Sequence, residues 1–319
     1  MSIIRFFKDW TLPIAMCAGA AAYFVYTGIP ALAPTKPFVA QLVAFLQPAL
    51  IFAMLFITFC KVNPKDLRPN RWHGWLLLIQ AGCFALLSLL LILFPHLPGQ
   101  VLVEGAMLCL ICPTATAAAV VTGKLGGSAA SLTTYTILIN LATALVVPVF
   151  VPLIHPHDDF AFGTYFALIL GNVFPLLFCP FLLAMFVRYC LPRFHRVVTR
   201  CKDLAFYLWA VALALAIGVT VKSIVHSTVA LSYQIGIAAV SLACCAFQFW
   251  AGKRIGAHYG DATSAGQALG QKNTVFAIWM GYTFMTPVTS VAGGFYSIWH
   301  NIYNSYQLYE KRKEETGKK

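Results

Sequence analysis

Residues 101–124 read VLVEGAMLCLICPTATAAAVVTGK. The stretch is long and apolar enough to cross a hydrocarbon core about 30 Å thick, which takes about 20 residues of helix. Its middle, Cys112-Pro113-Thr114-Ala115-Thr116, is poorly suited to continuing a helix. A proline there removes one backbone hydrogen bond and clashes with the preceding turn. Inside a bilayer, the freed backbone groups are tolerated only where protein or a water-filled cavity satisfies them. The expectation is a short unwound link followed by a second half-helix, whose free N–H groups and positive dipole end favour an anion. A plain proline kink, with Thr114 and Thr116 bonding their own helix, is the competing reading. A matching interruption elsewhere in the chain decides between them.

That match is Gly270-Gln271-Lys272-Asn273-Thr274, in the middle of the apolar stretch 261–284. On insertion scales a lysine at a helix centre costs about 2.5–3.5 kcal/mol, so it is normally paired or functional. A lysine near a helix end snorkels to the headgroups instead. Lys272 lies about halfway along its stretch, too deep for that.

Working outward, apolar runs place spans at 11–29, 38–60, 73–94, 101–124, 128–154, 162–190, 204–224, 230–251, 261–284 and 287–308. Breakers separate them, among them Pro30, Pro34, Pro64, Pro69, Pro95, Pro98, Gly126-Gly127, Pro156 and Pro192. No linker is long enough to divide the chain, so residues 1–319 are expected to form a single transmembrane domain. Ten spans divide into five and five, and an odd number per half inverts the second half in the membrane, an architecture of secondary transporters. Repeat 1 covers about 8–155, repeat 2 about 160–308, and 309–319 is a basic tail. The two interrupted stretches are then spans four and nine, at corresponding positions.

Basic residues support the even count. One side receives Arg5, Lys8, Lys61, Lys65, Arg68, Arg71, Lys124, Arg188, Arg193, Arg196, Arg200, Lys202, Lys253, Arg254 and the tail lysines and arginine up to Lys318 and Lys319. The other side receives Lys36, Lys222 and the acidic loop His155-Pro156-His157-Asp158-Asp159. The positive-inside rule makes the crowded side cytoplasmic, with both termini there. The first apolar run follows Arg5 and Lys8 without a small-residue cleavage site and is expected to be a span, not a signal peptide.

Composition excludes most other classes. Hydrophobic residues are 60% of the chain and charged ones 10%, with a mean hydropathy of +0.78. A soluble domain carries about 25% charged residues. The net charge of +12 sits at the ends of apolar runs rather than along one face, which argues against nucleic acid; the lipid bilayer is the partner. The ten cysteines lie largely inside apolar runs, and Cys109 and Cys112 are expected to be helix fillers, since a redox pair needs an exposed, activated thiolate. No nucleophile–base pair, zinc cluster or carboxylate dyad stands at a plausible spacing, so neither an enzyme, a cofactor nor a metal centre is expected. Among the remaining polar residues, Gln80 and Asn140 suit helix–helix hydrogen bonds, Asn140 especially. Glu104 is expected to be wet at the outer end of its span, and His300-Asn301 suits packing or a substrate contact equally.

At these residues the chain resembles the bile acid:sodium symporter family. Cys112-Pro113-Thr114-Ala115-Thr116-Ala117-Ala118-Ala119-Val120 is similar to the family's C-P-G-G-T-A-S-N run, Leu269-Gly270-Gln271-Lys272-Asn273 to its E-V-G-M-Q-N run, and Ser297-Ile298-Trp299-His300-Asn301 to its S-V-W-H-N. The resemblance implies an all-α membrane protein of ten helices in two inverted five-helix repeats. Helices 4 and 9 would be broken and crossed, and a panel of spans one, two, six and seven would face a core of the rest. It also implies two sodium sites, and there this chain departs from the family. The Ser-Asn pair and the Glu of the first site read Ala118, Ala119 and Ala268; the Gln of the second reads Lys272. Three methyl groups supply none of the oxygens sodium needs, and the Lys272 ammonium, beside remaining carbonyls, Gln271 and Gln80, would take the ion's place. Thr114, Thr116, Asn273 and His300 match family positions near the substrate.

The implied activity is secondary transport of a small organic anion, bile acid- or pantoate-like, without sodium. If Lys272 stays charged the protein is a uniporter or exchanger; an amine that sheds and regains a proton during the cycle couples transport to protons, the reading favoured here. The alternatives are a sodium-coupled symporter of the same family and a membrane sensor that binds a carboxylate without moving it.

Overall fold

The computed structural model describes residues 11–156, 159–201, 204–315 and 317. Arg5, Lys8, His157, Asp158, Lys202, Lys318 and Lys319, used above to sort charge, lie outside these residues. The regular structure of the described residues is helical: α1 Thr11–Gly28, α2 Lys36–Cys60, α3 Arg71–Leu93, α4 Gln100–Ile111, α5 Ala118–Lys124, α6 Ala129–Ile154 and α7 Phe162–Leu177. There follow α8 Cys179–Cys190, α9 Pro192–Arg200, α10 Leu204–Val225, α11 Leu231–His258, α12 Ala262–Gly270, α13 Thr274–Phe284 and α14 Pro287–Glu315. Short 3-10 turns, Pro30–Thr35 and Pro64–Asp66, precede α2 and α3.

Among the described residues six helical stretches are long and apolar enough to cross a membrane: Pro30–Cys60, Arg71–Leu93, Ala129–Ile154, Phe162–Cys190, Tyr207–Val225 and Leu231–His258. Ile14–Gly28, Gln100–Ile111 and Thr274–Phe284 are apolar but shorter. Of the four expected spans not among these six, the first is the short Ile14–Gly28, and the other three have a local cause. The expected fourth and ninth spans each consist of two shorter helices, and α14 runs on into the polar, charged sequence up to Glu315. The expected sixth span is α7 followed by α8, with Phe178 between them and prolines at 175 and 180.

The basic stretch after Cys190, expected as a loop, is partly helical. Pro192 stands at the first turn of α9, where a missing N–H costs nothing. Val198 is buried and Phe194 and Val197 are exposed. Nearby, Arg188 donates to the carbonyls of Cys60 and Val62, and His195 Nε2 lies 2.8 Å from Cys60 O, satisfying the last carbonyl of α2 and one just beyond it.

Packing divides the helices into two sets. α1 lies on α10, and α2 touches α8, α7 and α10. In the other set α4 is surrounded by α3, α11 and α14, and α12 packs on α11, α6, α5 and α3. Contacts of α6 with α7, of α10 with α13 and α14, and of α2 with α13 join the sets. Small residues bring backbones close, as lipid-embedded helices without a hydrophobic driving force between them require. A Cβ on Gly252 would stand 2.5 Å from the Ala265 carbonyl oxygen, and Gly256, one turn on, faces Asp261 and Ala265.

Candidate functional site

Two non-helical links meet in the second set: residues 112–117, between α4 and α5, and residues 271–273, between α12 and α13. They lie antiparallel, bridged at Thr114 and Lys272. The Ala115 N–H donates to Gln271 O and the Asn273 N–H to Pro113 O, both at 2.8 Å. A buried backbone group must find a partner, and each link is largely satisfied by the other.

Side chains complete the accounting. Gln80 Nε2 donates to the carbonyls of Ile111 (3.0 Å) and Cys112 (2.8 Å), while its Oε1 accepts from the Tyr135 hydroxyl (2.9 Å). Thr143 donates to the same Ile111 carbonyl. Gln248 Nε2 donates to Cys109 O (3.2 Å) and to the Tyr296 hydroxyl oxygen (3.0 Å), which in turn donates to Gly270 O (2.8 Å). Thr114 Oγ1 donates to Ala268 O at 2.7 Å.

Lys272 is 1% exposed. Its Nζ has one hydrogen bond, to Leu110 O at 3.4 Å, and its electrostatic neighbours are the thiols of Cys109, Cys112, Cys244 and Cys245. Among the described residues no carboxylate lies within ion-pair distance of it. Next to it, Gln271 Oε1 and Asn273 Nδ2 are buried without partners, as is Ser297 Oγ. His300, also buried, accepts the Lys272 N–H at Nδ1 (3.3 Å). Thr116 is half-buried at the rim.

The sequence-derived residues therefore separate. Lys272, Gln271, Asn273 and His300 come together. Thr114 is adjacent, but its hydroxyl is fully buried and already donates to α12. Gln80 serves the carbonyls of the first link and the Tyr135 hydroxyl rather than the amine. Ala118 and Ala268 are fully buried in an apolar cluster with Trp72, Leu76, Tyr135 and Leu269, against which Ala119 packs. Methyl groups and rings pack at that place, and the three alanines bring no side-chain oxygen to it.

Two local expectations change. Helix starts do not supply ready anion sites: α5 has only seven residues, and the first turn of α13 is capped by Asn273 Oδ1, which accepts from Phe276 N at 3.2 Å. Glu104 is not wet. It is 2% exposed, accepts from Thr289 Oγ1 (2.7 Å) and Gln100 Nε2 (2.9 Å), and lies 3.3 Å from His155 Nε2. Its burial follows from α14 packing on α4, which brings Thr289 against it. Asn140 makes the expected helix–helix bond, donating to Leu177 O.

Gln248, Tyr296, Tyr135 and Thr143 were absent from the sequence reading. For Gln248 a signal existed: a glutamine deep in the eighth apolar run, just as Gln80 is deep in the third.

A family model described as the Sodium Bile acid symporter family matches residues 48–227, more than half of the chain. The matched stretch includes the first link and ends before the second. No curated protein matches the chain.

Proposed function

The chain belongs to the sodium bile acid symporter family, and from that premise we propose that this multi-pass membrane protein carries a small organic anion by alternating access. In this reading α4 with α5, and α12 with α13, are the interrupted fourth and ninth of ten spans in two inverted repeats. The pairs Gln80–Tyr135 and Gln248–Tyr296 support it, since each places a glutamine before a link and a tyrosine after it, joined by a hydrogen bond. The set of α1, α2, α7, α8 and α10 acts as the panel, and the set holding the crossing as the core that moves against it. Both termini are cytoplasmic, in the cell membrane.

The observation that carries the reading is the buried Lys272 amine at the crossing without a counter-ion. Burying an unpaired charge costs several kcal/mol, and an arriving carboxylate, itself needing to shed water, offsets that cost. Lys272 is the electrostatic anchor, with Asn273 Nδ2, Gln271, Thr116 and His300 as neighbouring polar contacts. Thr114 acts as a positioning residue, holding the crossing together through Ala268. The substrate is a small carboxylate, pantoate-like in size.

Sodium is not the coupling ion. The three alanines offer no side-chain ligands, and the resemblance puts the amine where the family's second site would hold a cation. Release and recapture of a proton by Lys272 couples transport to protons. The test is uptake into liposomes by the unaltered protein, Lys272→Ala and Lys272→Gln, with and without sodium and a pH gradient. The substrate is first selected by a thermal-shift screen of small carboxylates. Strict sodium dependence of the unaltered protein would end this reading. Counterflow of labelled substrate separates a carrier from a sensor, because only a carrier exchanges label across a sealed membrane.

A further inference from the structure

A second feature lies on the outer surface of the same set of helices. Between α11 and α14 runs an open groove of about 880 Å³. Its wall begins at Leu242 and is formed chiefly by Trp250, Ile302, Tyr303 and Tyr306; Trp250, Ile302 and Tyr306 are more than half exposed. At one end stand Lys253 and Arg254, and no carboxylate lines any part of it. From Leu242 to Arg254 is twelve residues, about 18 Å of helix at 1.5 Å per residue. That is close to the depth of one leaflet of a hydrocarbon core about 30 Å thick. The groove is thus apolar over an acyl-chain length and cationic where a headgroup begins.

The two cations differ in how they are held. Lys253 Nζ donates to the Tyr303 hydroxyl (3.0 Å) and sits 5.1 Å from the centre of that ring. Its stem packs on Gly266 of α12, where a Cβ would collide with it. Arg254 is exposed and has no internal partner among the described residues. An anchored ammonium beside a free guanidinium suits a phosphate diester, to which arginine can present two parallel N–H groups.

We infer that the groove between α11 and α14 binds an anionic phospholipid, its phosphate held by Lys253 and Arg254 and one acyl chain laid against Trp250 and Ile302. Basic pockets between transmembrane helices at the headgroup level bind such lipids for the same reason. The inference is independent of what the crossing carries and of which side of the membrane faces the cytoplasm.

The experiment is thermal unfolding and native mass spectrometry of the full chain in detergent, titrated with phosphatidylglycerol, phosphatidylcholine or inorganic phosphate. Phosphatidylglycerol should bind about tenfold more tightly than phosphatidylcholine, and inorganic phosphate should not stabilise. Lys253→Gln with Arg254→Gln should abolish the preference. Arg254→Gln alone, at a side chain with no internal bond to lose, should lower it severalfold without harming the fold. Lys65→Gln with Arg68→Gln, exposed basic residues outside the groove, should leave it intact. Equal stabilisation by both lipids, the same stabilisation by inorganic phosphate, or a preference that survives Arg254→Gln would overturn the site. So would a lipid-free dimer that shields Trp250.

Discussion

The two links that meet at the crossing are built differently. Residues 112–117 are closed by side chains and leave no fully buried side-chain polar atom unpartnered: Gln80 and Thr143 cover the carbonyls of Ile111 and Cys112, and Thr114 reaches across to Ala268. Residues 271–273 keep polar atoms in reserve, namely the Lys272 amine with one long bond and the unpartnered Gln271 Oε1 and Asn273 Nδ2. An unmade hydrogen bond in a buried place costs free energy. A molecule keeps several together only where something offsets them, so the first link reads as a latch and the second as the place where a ligand completes the structure.

The largest effect that could break this contrast is at Lys272. Changing it to Met should lower uptake about a thousandfold, since removing one partner of a buried charge pair costs about 3–5 kcal/mol. The melting temperature should hold or rise, because the amine has no counter-ion to lose. A Met variant that still transports, or one that unfolds, would erase the distinction between latch and ligand site. Next comes Gln80→Ala, which strips the Cys112 carbonyl and the Tyr135 hydroxyl of their partner and leaves the Ile111 carbonyl to Thr143 alone. Thermal unfolding should report a loss of about 2–3 kcal/mol, and Gln248→Ala, which frees one carbonyl and the Tyr296 hydroxyl, about 1–2 kcal/mol.

Thr114→Val sharpens the contrast further. If its hydroxyl only ties the links together, stability should fall by about 1 kcal/mol while substrate affinity, read by isothermal titration, stays within twofold. A large loss of affinity with unchanged stability would return Thr114 to the binding residues. The smallest expected effect is at the alanines: exchanging sodium for potassium should leave initial uptake rates unchanged. A dependence on sodium would mean that the cluster of Ala118, Ala119 and Ala268 is bypassed by ligands elsewhere.

Much of this was legible before any coordinates. Pro113 and the Gln271-Lys272-Asn273 row marked where helix gives way, because a proline and a run of polar groups are local offences against a lipid-embedded helix. Glu104 was misjudged for the opposite reason. Its place near a span end says nothing about Thr289, which lies 185 residues further along and covers it. Gln80 was assigned to the cation site, with a helix–helix hydrogen bond as the alternative; its acceptors could not be read, since backbone carbonyls carry no sequence signature.

By itself the sequence determined that this chain lives in a membrane, that two of its apolar stretches, 101–124 and 261–284, are interrupted, and that one of these interruptions carries a lysine. These are properties of short windows, where hydropathy and backbone chemistry add up residue by residue. Only the tertiary structure decided that the links lie antiparallel, that Thr114 is tied to Ala268 across 154 residues, and that the Lys272 amine is buried among thiols with no carboxylate of the described residues beside it. Hydrogen bonds and burial depend on which distant surfaces are brought together, and that information resides in the packing of helices rather than in any one of them.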